Sequence, residues 1–259
     1  MLLPWSKPSS ILIAPEGLAL CHANSATAQM LTHHTTPQRW DALLQNLVEL
    51  LPELSLKHVR FVISHYFVRQ AVLPWQEGVF SQQDWQGLGE HHFRQAFGAV
   101  CDDWQVQVAL QGYGKPALAC AMDHALTMQL ASIATQFNLH IHGIEPALMT
   151  VFNRYQAEIT TCDCLLIAEP HHLLLAMFEA GEWQNFAVAT PPAGQAAQEC
   201  VNMLARAMHL KSHPTGRLAY FGSDELIAHQ PLQGLNVLSL AKNTYRHGAS
   251  ILINESRNG

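Results

Sequence analysis

The sequence has 259 residues, of which 49% are hydrophobic and only 13% are charged, and its formal net charge is −6. Soluble domains typically carry about 25% charged residues, so this surface is largely neutral, as in proteins that stay docked to partners. Lysines and arginines form no run, and we therefore exclude nucleic acid and anionic lipid surfaces as partners. The length suits one large domain or two smaller ones.

The cellular compartment is indicated by the apolar segments and the cysteines. The N-terminal segment MLLPWSKPSS has too short an apolar run for a signal peptide, and no stretch of about 18 apolar residues is present to span a bilayer. The six cysteines include no CxxC pair and are interpreted as reduced thiols. We therefore expect a cytosolic protein with no direct membrane insertion.

The first part of the chain predicts three strands, a helix and a strand. The strands SILIAP and GLALCHA are joined by a turn at Pro15–Gly17, and TAQMLTH follows as a third strand. Thr36 is expected to cap a helix that begins at Pro37, and VRFVISH is the closing strand. The apolar face of this helix consists of Trp40, Leu43, Leu44, Leu47, Val48 and Leu51.

The same order of elements returns after residue 160. Three strands, CLLIAE, HLLLAMF and WQNFAVA, precede the helix PPAGQAAQECVNMLARAMHL and the strand GRLAYFG. A short helix or turn, DELIAHQPL, and a strand, LNVLSLA, follow. The recurrence of three strands, a helix and a strand indicates an internal structural repeat.

A different α/β unit is predicted between the two halves, at about residues 64 to 145. Its order is strand, helix, strand, strand, helix and strand, and the last strand is LHIHGIE. The buried face of its first helix is predicted to be Phe93, Ala96, Phe97 and Val100, and that of its second helix Leu126, Leu130, Ile133, Ala134 and Phe137. The segment PALMTVFNRY then returns as a helix to the first half.

A duplicated core with a small unit inserted into its first half resembles the actin-like PilM and GspL proteins of type IV pilus and type II secretion inner-membrane platforms. The segments VRFVISHYFVRQAVLPW and ALACAMDHALTMQLASIATQFNLHIHGIEPALMTVFNRY carry the likeness best. The resemblance implies an α/β fold, an actin-like (ribonuclease H-like) duplicated βββαβ core. It implies one subdomain at residues 9–63 and 144–160, an insertion at 64–143, a second subdomain at 161–243 and a C-terminal tail at 244–259.

The resemblance also bears on nucleotide chemistry. Actin-like ATPases hold phosphates on two hairpins with an Asp-x-Gly pattern, in which the carboxylate orients metal-bound water and glycine lets the backbone approach phosphate. Here the bends are Ala14-Pro15-Glu16-Gly17 and Ala168-Glu169-Pro170, both without the aspartate, and Pro170 lacks a backbone N–H. The adenosine-side turn is reduced to Gly222. We expect a degenerate pseudo-ATPase that is not an enzyme and has no cofactor. The alternative is an ATPase that binds MgATP through Glu16, Gly17, Glu169 and Gly222.

The same resemblance nominates a partner-binding groove. In PilM-like proteins a cleft beside the insertion takes a short peptide from a membrane-anchored partner, which implies a cytoplasmic scaffold held at the inner membrane through that partner's cytoplasmic tail. The residues nominated to line the groove are Phe67, Arg69, Leu73 and Trp75. The competing interpretation places Phe67 and Leu73 in the core and pairs Arg69 locally.

Histidines are abundant, and His140 and His142 are expected to share one strand face, from which both side chains can reach one metal ion. A metal site needs a third ligand, and the sequence nominates none. We therefore expect structural or surface histidines and no metal site.

Overall fold

The structure is a computed structural model that describes residues 7–23, 25, 27–79, 81–192, 194–209, 216–222 and 236–240. The segment DELIAHQPL, predicted as a short helix or turn, and the tail at 244–259 lie outside these residues. The described chain divides into two compact units. One contains residues 7–67 and 125–151, and the other contains 68–124 and 152–240. None of the described helices is long and apolar enough to cross a bilayer.

The first unit contains a five-stranded sheet in the order β3-β2-β1-β4-β8. Its central strand β1 (Ser9–Ala14) runs antiparallel to β2 (Gly17–Cys21) and parallel to β4 (His58–Ile63). The edge strands are β3 (Gln29–Met30), of two residues, and β8 (His140–Pro146), which is parallel to β4. Every residue of β2 is buried, as is nearly every residue of β1, so the sheet forms the core of this unit.

The second unit contains a five-stranded sheet with the same arrangement, in the order β11-β10-β9-β12-β13. Its strands are β9 (Cys164–Glu169), β10 (His172–Glu179), β11 (Glu182–Ala189), β12 (Arg217–Phe221) and β13 (Asn236–Ser239). The pairs β9–β10 and β10–β11 are antiparallel, whereas β9–β12 and β12–β13 are parallel, as in the first sheet. The predicted repeat, and with it the duplicated actin-like core, is confirmed.

Helix α1 (Trp40–Leu54) follows the first three strands and buries Leu43, Leu44, Leu47 and Leu51, all of which belong to the predicted face. Its start differs from the prediction, because Arg39 rather than Thr36 is the N-cap and no side chain caps the helix. The backbone N–H of Gln38 donates to the carbonyl of Pro15 at 2.8 Å. This bond holds the preceding segment against the first hairpin, so helical geometry begins only after it.

Two further helices accompany the sheets. Helix α4 (Ala147–Ile159) follows β8, as the segment PALMTVFNRY predicts, and Tyr155 interrupts its regular backbone geometry. Helix α5 (Ala196–His209) begins later than predicted, after the prolines at 191 and 192, and packs Cys200, Met203, Leu204 and Ala207 against β9 and β10. Gly194 has φ +77, which lies outside the right-handed helical region, so the helix begins only after it.

The second unit also contains a three-stranded antiparallel sheet in the order β5-β7-β6. Its strands are β5 (Val68–Leu73), β6 (Trp104–Ala109) and β7 (Ala117–Asp123). Helix α2 (Gln82–Phe97) packs on one face, and Ser81 and Asp84 form a reciprocal capping box at its start. In the second unit β5 runs beside β11, and Lys115 pairs with Glu182 at 3.5 Å.

The predicted buried face of α2 is wrong apart from Phe93. The helix instead buries Trp85, Gly89 and Phe93, whereas Phe97 is 44% and Val100 68% exposed. The cause is the closeness of the helix to β6. A Cβ atom at Gly89 would lie 2.7 Å from Cγ2 of Val108, so only glycine fits where the helix contacts β6. A search for periodic apolar residues does not count glycine as apolar, and it therefore misses this contact.

The strand LHIHGIE also differs from the prediction. It forms β8, and it pairs with β4 of the first sheet rather than with the inserted sheet. The helix before it, α3 (His124–Gln136), buries Leu126, Leu130, Ile133 and Ala134 of the predicted face, whereas Phe137 follows the end of the helix and is half-buried. The domain boundaries at 64 and 143 stay a prediction.

Candidate functional site

Trp75 follows β5 and forms the centre of an exposed aromatic surface in the second unit. Its ring lies 5.8 Å from that of buried Trp85 and 4.9 Å from that of Tyr113, measured between centroids. Tyr113 is 86% exposed and stands on a turn between Gly112 and Gly114, both of which have positive φ. We refer to the pair Trp75 and Tyr113 as the aromatic surface. The sequence analysis missed Tyr113, because no periodic pattern marks a single tyrosine in a loop.

Leu73 requires a correction as a groove residue. It is 1% exposed and packs in the apolar cluster between the three-stranded sheet and α2, with Trp85 and Phe93 as neighbours in that cluster. A side chain enclosed in this way has no surface to offer a partner. Leu73 therefore supports the position of Trp75 from beneath, as the competing interpretation held.

Arg69 is half-buried near the start of β5, and its Nη1 donates to the carbonyl of Val68 at 3.2 Å. Burial and the positive charge of Arg69 lower the pKa of His172 to about 4. His172 is therefore neutral at physiological pH, and Arg69 carries the positive charge of this pair. Trp75 lies six residues after Arg69, and six extended residues span up to about 20 Å. The two side chains therefore do not line one binding site.

Phe67 belongs to the first unit. It ends the short 3-10 helix His65–Phe67, and its ring meets that of Tyr66 edge-on at 5.3 Å between centroids. Its backbone N–H donates to the carbonyl of Ser64 at 3.0 Å. Phe67 is half-buried.

The first hairpin, between β1 and β2, is packed with protein atoms. Glu16 is 1% exposed, and burial raises its pKa from 4.5 to about 7. Its two carboxyl oxygens are buried without a hydrogen-bond partner in the described part of the chain. Gly17 has φ +144, and a Cβ atom there would lie 2.2 Å from the carbonyl oxygen of Thr32. The absence of a side chain at Gly17 therefore allows the backbone of residue 32 to pack against this hairpin.

The second hairpin, between β9 and β10, is similarly enclosed. Glu169 is 5% exposed, and Pro170 offers no backbone N–H to a phosphate. After β12, the space beside Gly222 is filled, since a Cβ atom there would lie 2.5 Å from the Tyr220 hydroxyl oxygen and 2.9 Å from Cβ of Ala168. The missing side chain of Gly222 thus makes room for Tyr220.

Three histidines meet at the edge of the first sheet. His58 on β4 is the register partner of His140 on β8, and Nδ1 of His58 lies 3.1 Å from Nε2 of His142. One ring nitrogen from each of the three lies within 4.8 Å of the others. Loss of solvent, followed by the charges of His140, His58 and Arg60, lowers the pKa of His142. The sequence analysis identified the second and third of these histidines but not His58.

Comparison with solved structures places the fold. The chain is similar to a protein of unknown function with an actin-like ATPase fold from Bacteroides thetaiotaomicron, with a TM-score of 0.64 and 13% identity over 96% of this chain and 97% of the other. It is similar to a chain of the PilM–PilN type IV pilus biogenesis complex, with a TM-score of 0.62 and 11% identity over 96% and 97%.

A third similar structure is the cytoplasmic domain of EpsL, an inner-membrane component of the type II secretion system of Vibrio cholerae. The TM-score is 0.59 and the identity 8%, over 94% of this chain and 92% of the other. No protein-family model and no curated protein matches the sequence. Because each similarity covers nearly the whole of both chains, and the two five-stranded sheets repeat one topology, this chain has the actin-like fold in the form seen in PilM and EpsL.

Proposed function

We propose that this chain is a non-catalytic actin-fold scaffold of a type IV pilus or type II secretion assembly platform. The observation that carries the proposal is the full-length likeness to both a PilM–PilN complex chain and the cytoplasmic domain of EpsL. The first of these structures belongs to a type IV pilus biogenesis complex, and the second is the cytoplasmic domain of an inner-membrane component of a type II secretion system. A cytoplasmic location, peripheral to the inner membrane through a partner, follows from this role.

The partner in this proposal is the cytoplasmic tail of a membrane-anchored assembly protein. Its anchor would be an apolar side chain that packs on the aromatic surface, where the 86% exposed ring of Tyr113 meets the half-buried ring of Trp75. Exposed aromatic rings supply large contact area with few rotatable bonds, which is why they dominate the energetics of many interfaces. Arg69 and Phe67 stay secondary candidates. The net charge of −6 argues against nucleic acid as an alternative partner.

A fluorescence anisotropy assay tests this proposal. The probes are labelled peptides for the cytoplasmic tails of the single-span membrane proteins encoded beside this chain's gene. We expect one tail to bind, and we expect Tyr113→Ala to weaken its binding more than tenfold, because truncating a central aromatic anchor costs about 2 kcal/mol. Trp75→Ala should weaken it at least as much. The double substitution His91→Ala and His92→Ala, on α2, is the matched surface control and should change little.

Circular dichroism of each variant separates binding from folding. Tyr113 is the sharper test, since its exposed ring contributes little to the core, whereas Trp75 also packs on Trp85. If no tail binds, or if Tyr113→Ala and Trp75→Ala both fold and bind as the unchanged protein does, the aromatic surface is not the partner site.

A second candidate function is an ATPase with atypical acidic residues. The observation in its favour is that Glu16 and Glu169 stand at the two hairpin bends where the actin-like fold presents carboxylates. Against it stand the raised pKa of Glu16, which leaves much of this carboxyl neutral near pH 7, and the protein atoms that fill the space beside Gly17 and Gly222. We therefore favour the scaffold, with no nucleotide or magnesium bound.

A further inference from the structure

The edge of the first sheet carries three imidazoles that converge from two strands. His58 lies at the first position of β4, and His140 lies at the first position of β8 beside it. The backbone N–H of His140 donates to the carbonyl of Lys57 at 2.8 Å, which fixes the start of β8 against β4. Paired residues on neighbouring strands point to the same side of a sheet, so the first two ligands share a face.

The third imidazole is brought in by an irregularity of the strand pairing. Val59 is the partner of Ile141 and Arg60 is the partner of Gly143, so His142 is an extra residue without a register partner on β4. Such a bulge bends the strand and changes the direction of a side chain, and bulges recur next to functional sites. Here the bulged residue is the one whose Nε2 reaches within 3.1 Å of Nδ1 of His58.

The spacing of the ring nitrogens fits a metal ion. A tetrahedral site with metal–nitrogen bonds of about 2.0–2.1 Å places neighbouring ligand nitrogens about 3.3 Å apart. The observed 3.1 Å between Nδ1 of His58 and Nε2 of His142 is close to this value, and one ring nitrogen from each of the three histidines lies within 4.8 Å of the others. Imidazole nitrogen suits Zn²⁺, Cu²⁺ and Ni²⁺, whereas Mg²⁺ and Ca²⁺ prefer oxygen.

The surroundings allow a cation to enter. His140 and His142 are exposed, and His58 is half-buried on an open groove that Ser9, His22 and Lys57 also line. Lys7 and Lys57 add positive charge to this groove, whereas the charge of Arg60 on β4 is partly offset by its pairing with Glu145 at 3.7 Å. The site is far from the first hairpin, because β1 separates the two ends of the sheet by about 16 Å.

We propose that His58, His140 and His142 form a binding site for one transition-metal dication of the zinc class, with a fourth coordination position open to solvent. Three histidines and an open position are an arrangement that zinc uses in proteins. A bound ion would join β4 to the edge strand β8 and so hold the last strand of the first sheet in place. The site does not depend on the scaffold function proposed above.

The test uses the full chain without a histidine tag, titrated with ZnCl₂ in competition with a chromophoric chelator. We expect one Zn²⁺ per chain. Each of His58→Gln, His140→Gln and His142→Gln should weaken binding at least roughly tenfold, since losing even an outer partner of a ligand costs about that much. The matched control is His91→Gln with His92→Gln, adjacent positions on α2 that cannot face one ion together, and it should bind as the unchanged chain does.

Two further measurements complete the test. CoCl₂ should give the intense visible absorption of four-coordinate Co²⁺ in the unchanged chain and lose it in the triple variant of His58, His140 and His142. Zn²⁺ should raise the thermal unfolding midpoint of the unchanged chain but not that of the triple variant. If the triple variant binds Zn²⁺ as tightly as the unchanged chain, or if the α2 control loses binding equally, the proposed site is refuted.

Discussion

The carboxyl group of Glu16 is buried, and burial disfavours its charged form. Burial raises its pKa from 4.5 to about 7, so the folded state binds this proton more tightly than the unfolded chain does. The stabilisation from this proton is fully present below pH 4.5 and is lost as the pH rises through about 7. A shift of this size corresponds to about 3 kcal/mol of unfolding free energy across that window.

We predict that Glu16→Gln removes this pH dependence, because an amide of similar shape stays neutral at every pH in the window. Urea unfolding at pH 5 and pH 8 measures it. The unchanged protein should lose stability between the two values, and the variant should lose less and be the more stable of the two at pH 8. Parallel losses in both proteins would show that this carboxyl ionises in the folded state without cost.

Some features of these individual residues could be predicted from the sequence, and others could not. The absence of the expected aspartates from the two bends can be read directly from the sequence. It does not predict that a side chain at Gly222 would meet Tyr220, or that Leu73 is enclosed while Tyr113 is exposed. Those facts depend on which segments meet in three dimensions, and residue spacing along the chain carries no such information.

At the scale of elements, helix α2 offers two glycines in contrasting surroundings. A Cβ atom at Gly89 would lie 2.7 Å from Cγ2 of Val108, whereas a Cβ atom at Gly87 would have nothing within 4 Å. We predict that Gly89→Ala destabilises the protein by roughly 1–3 kcal/mol through overpacking. Gly87→Ala should stabilise it by roughly 0.5–1 kcal/mol, because alanine restricts the unfolded chain and favours the helix.

Denaturant midpoints of the two variants, measured together, decide the matter. Both substitutions add the same methyl group to the same helix, so any effect of helix propensity is common to them. Stability changes of opposite sign in the two variants would show that α2 contacts β6 at Gly89. If both variants are stabilised by similar amounts, the helix does not approach β6 as closely as the structure has it.

Most elements could be predicted because each is a short apolar run between turn residues, and the repeated order of strands and helix emerged from them. The errors arose where a contact between distant segments decides the outcome. Helix α1 starts after the backbone hydrogen bond between Gln38 and Pro15, and β8 belongs to the first sheet because it pairs with β4. His58 escaped notice as a ligand because it lies 84 residues before His142 in the chain.

The whole molecule keeps the actin-like fold, while protein atoms fill the space at its two hairpin bends. Two sheets of one topology form the cores of the two units, as the repeat predicted. Fold does not determine function, and activity depends on the residues placed at the sites. In this chain the bends carry buried glutamates, a proline and glycines whose open space is occupied by protein atoms. We therefore predict a scaffold that neither binds nor hydrolyses ATP.

Isothermal titration calorimetry with MgATP distinguishes a scaffold without nucleotide binding from an ATPase. We predict no saturable heat up to millimolar nucleotide, and no rise in the unfolding midpoint, although a ligand at 100 times its dissociation constant would add about 2.7 kcal/mol of stability. A saturable one-to-one isotherm that depends on Mg²⁺ and is abolished by Glu169→Ala or Glu16→Gln would show instead that the chain binds ATP. That outcome would make the chain an actin-like ATPase with glutamates in place of the usual aspartates.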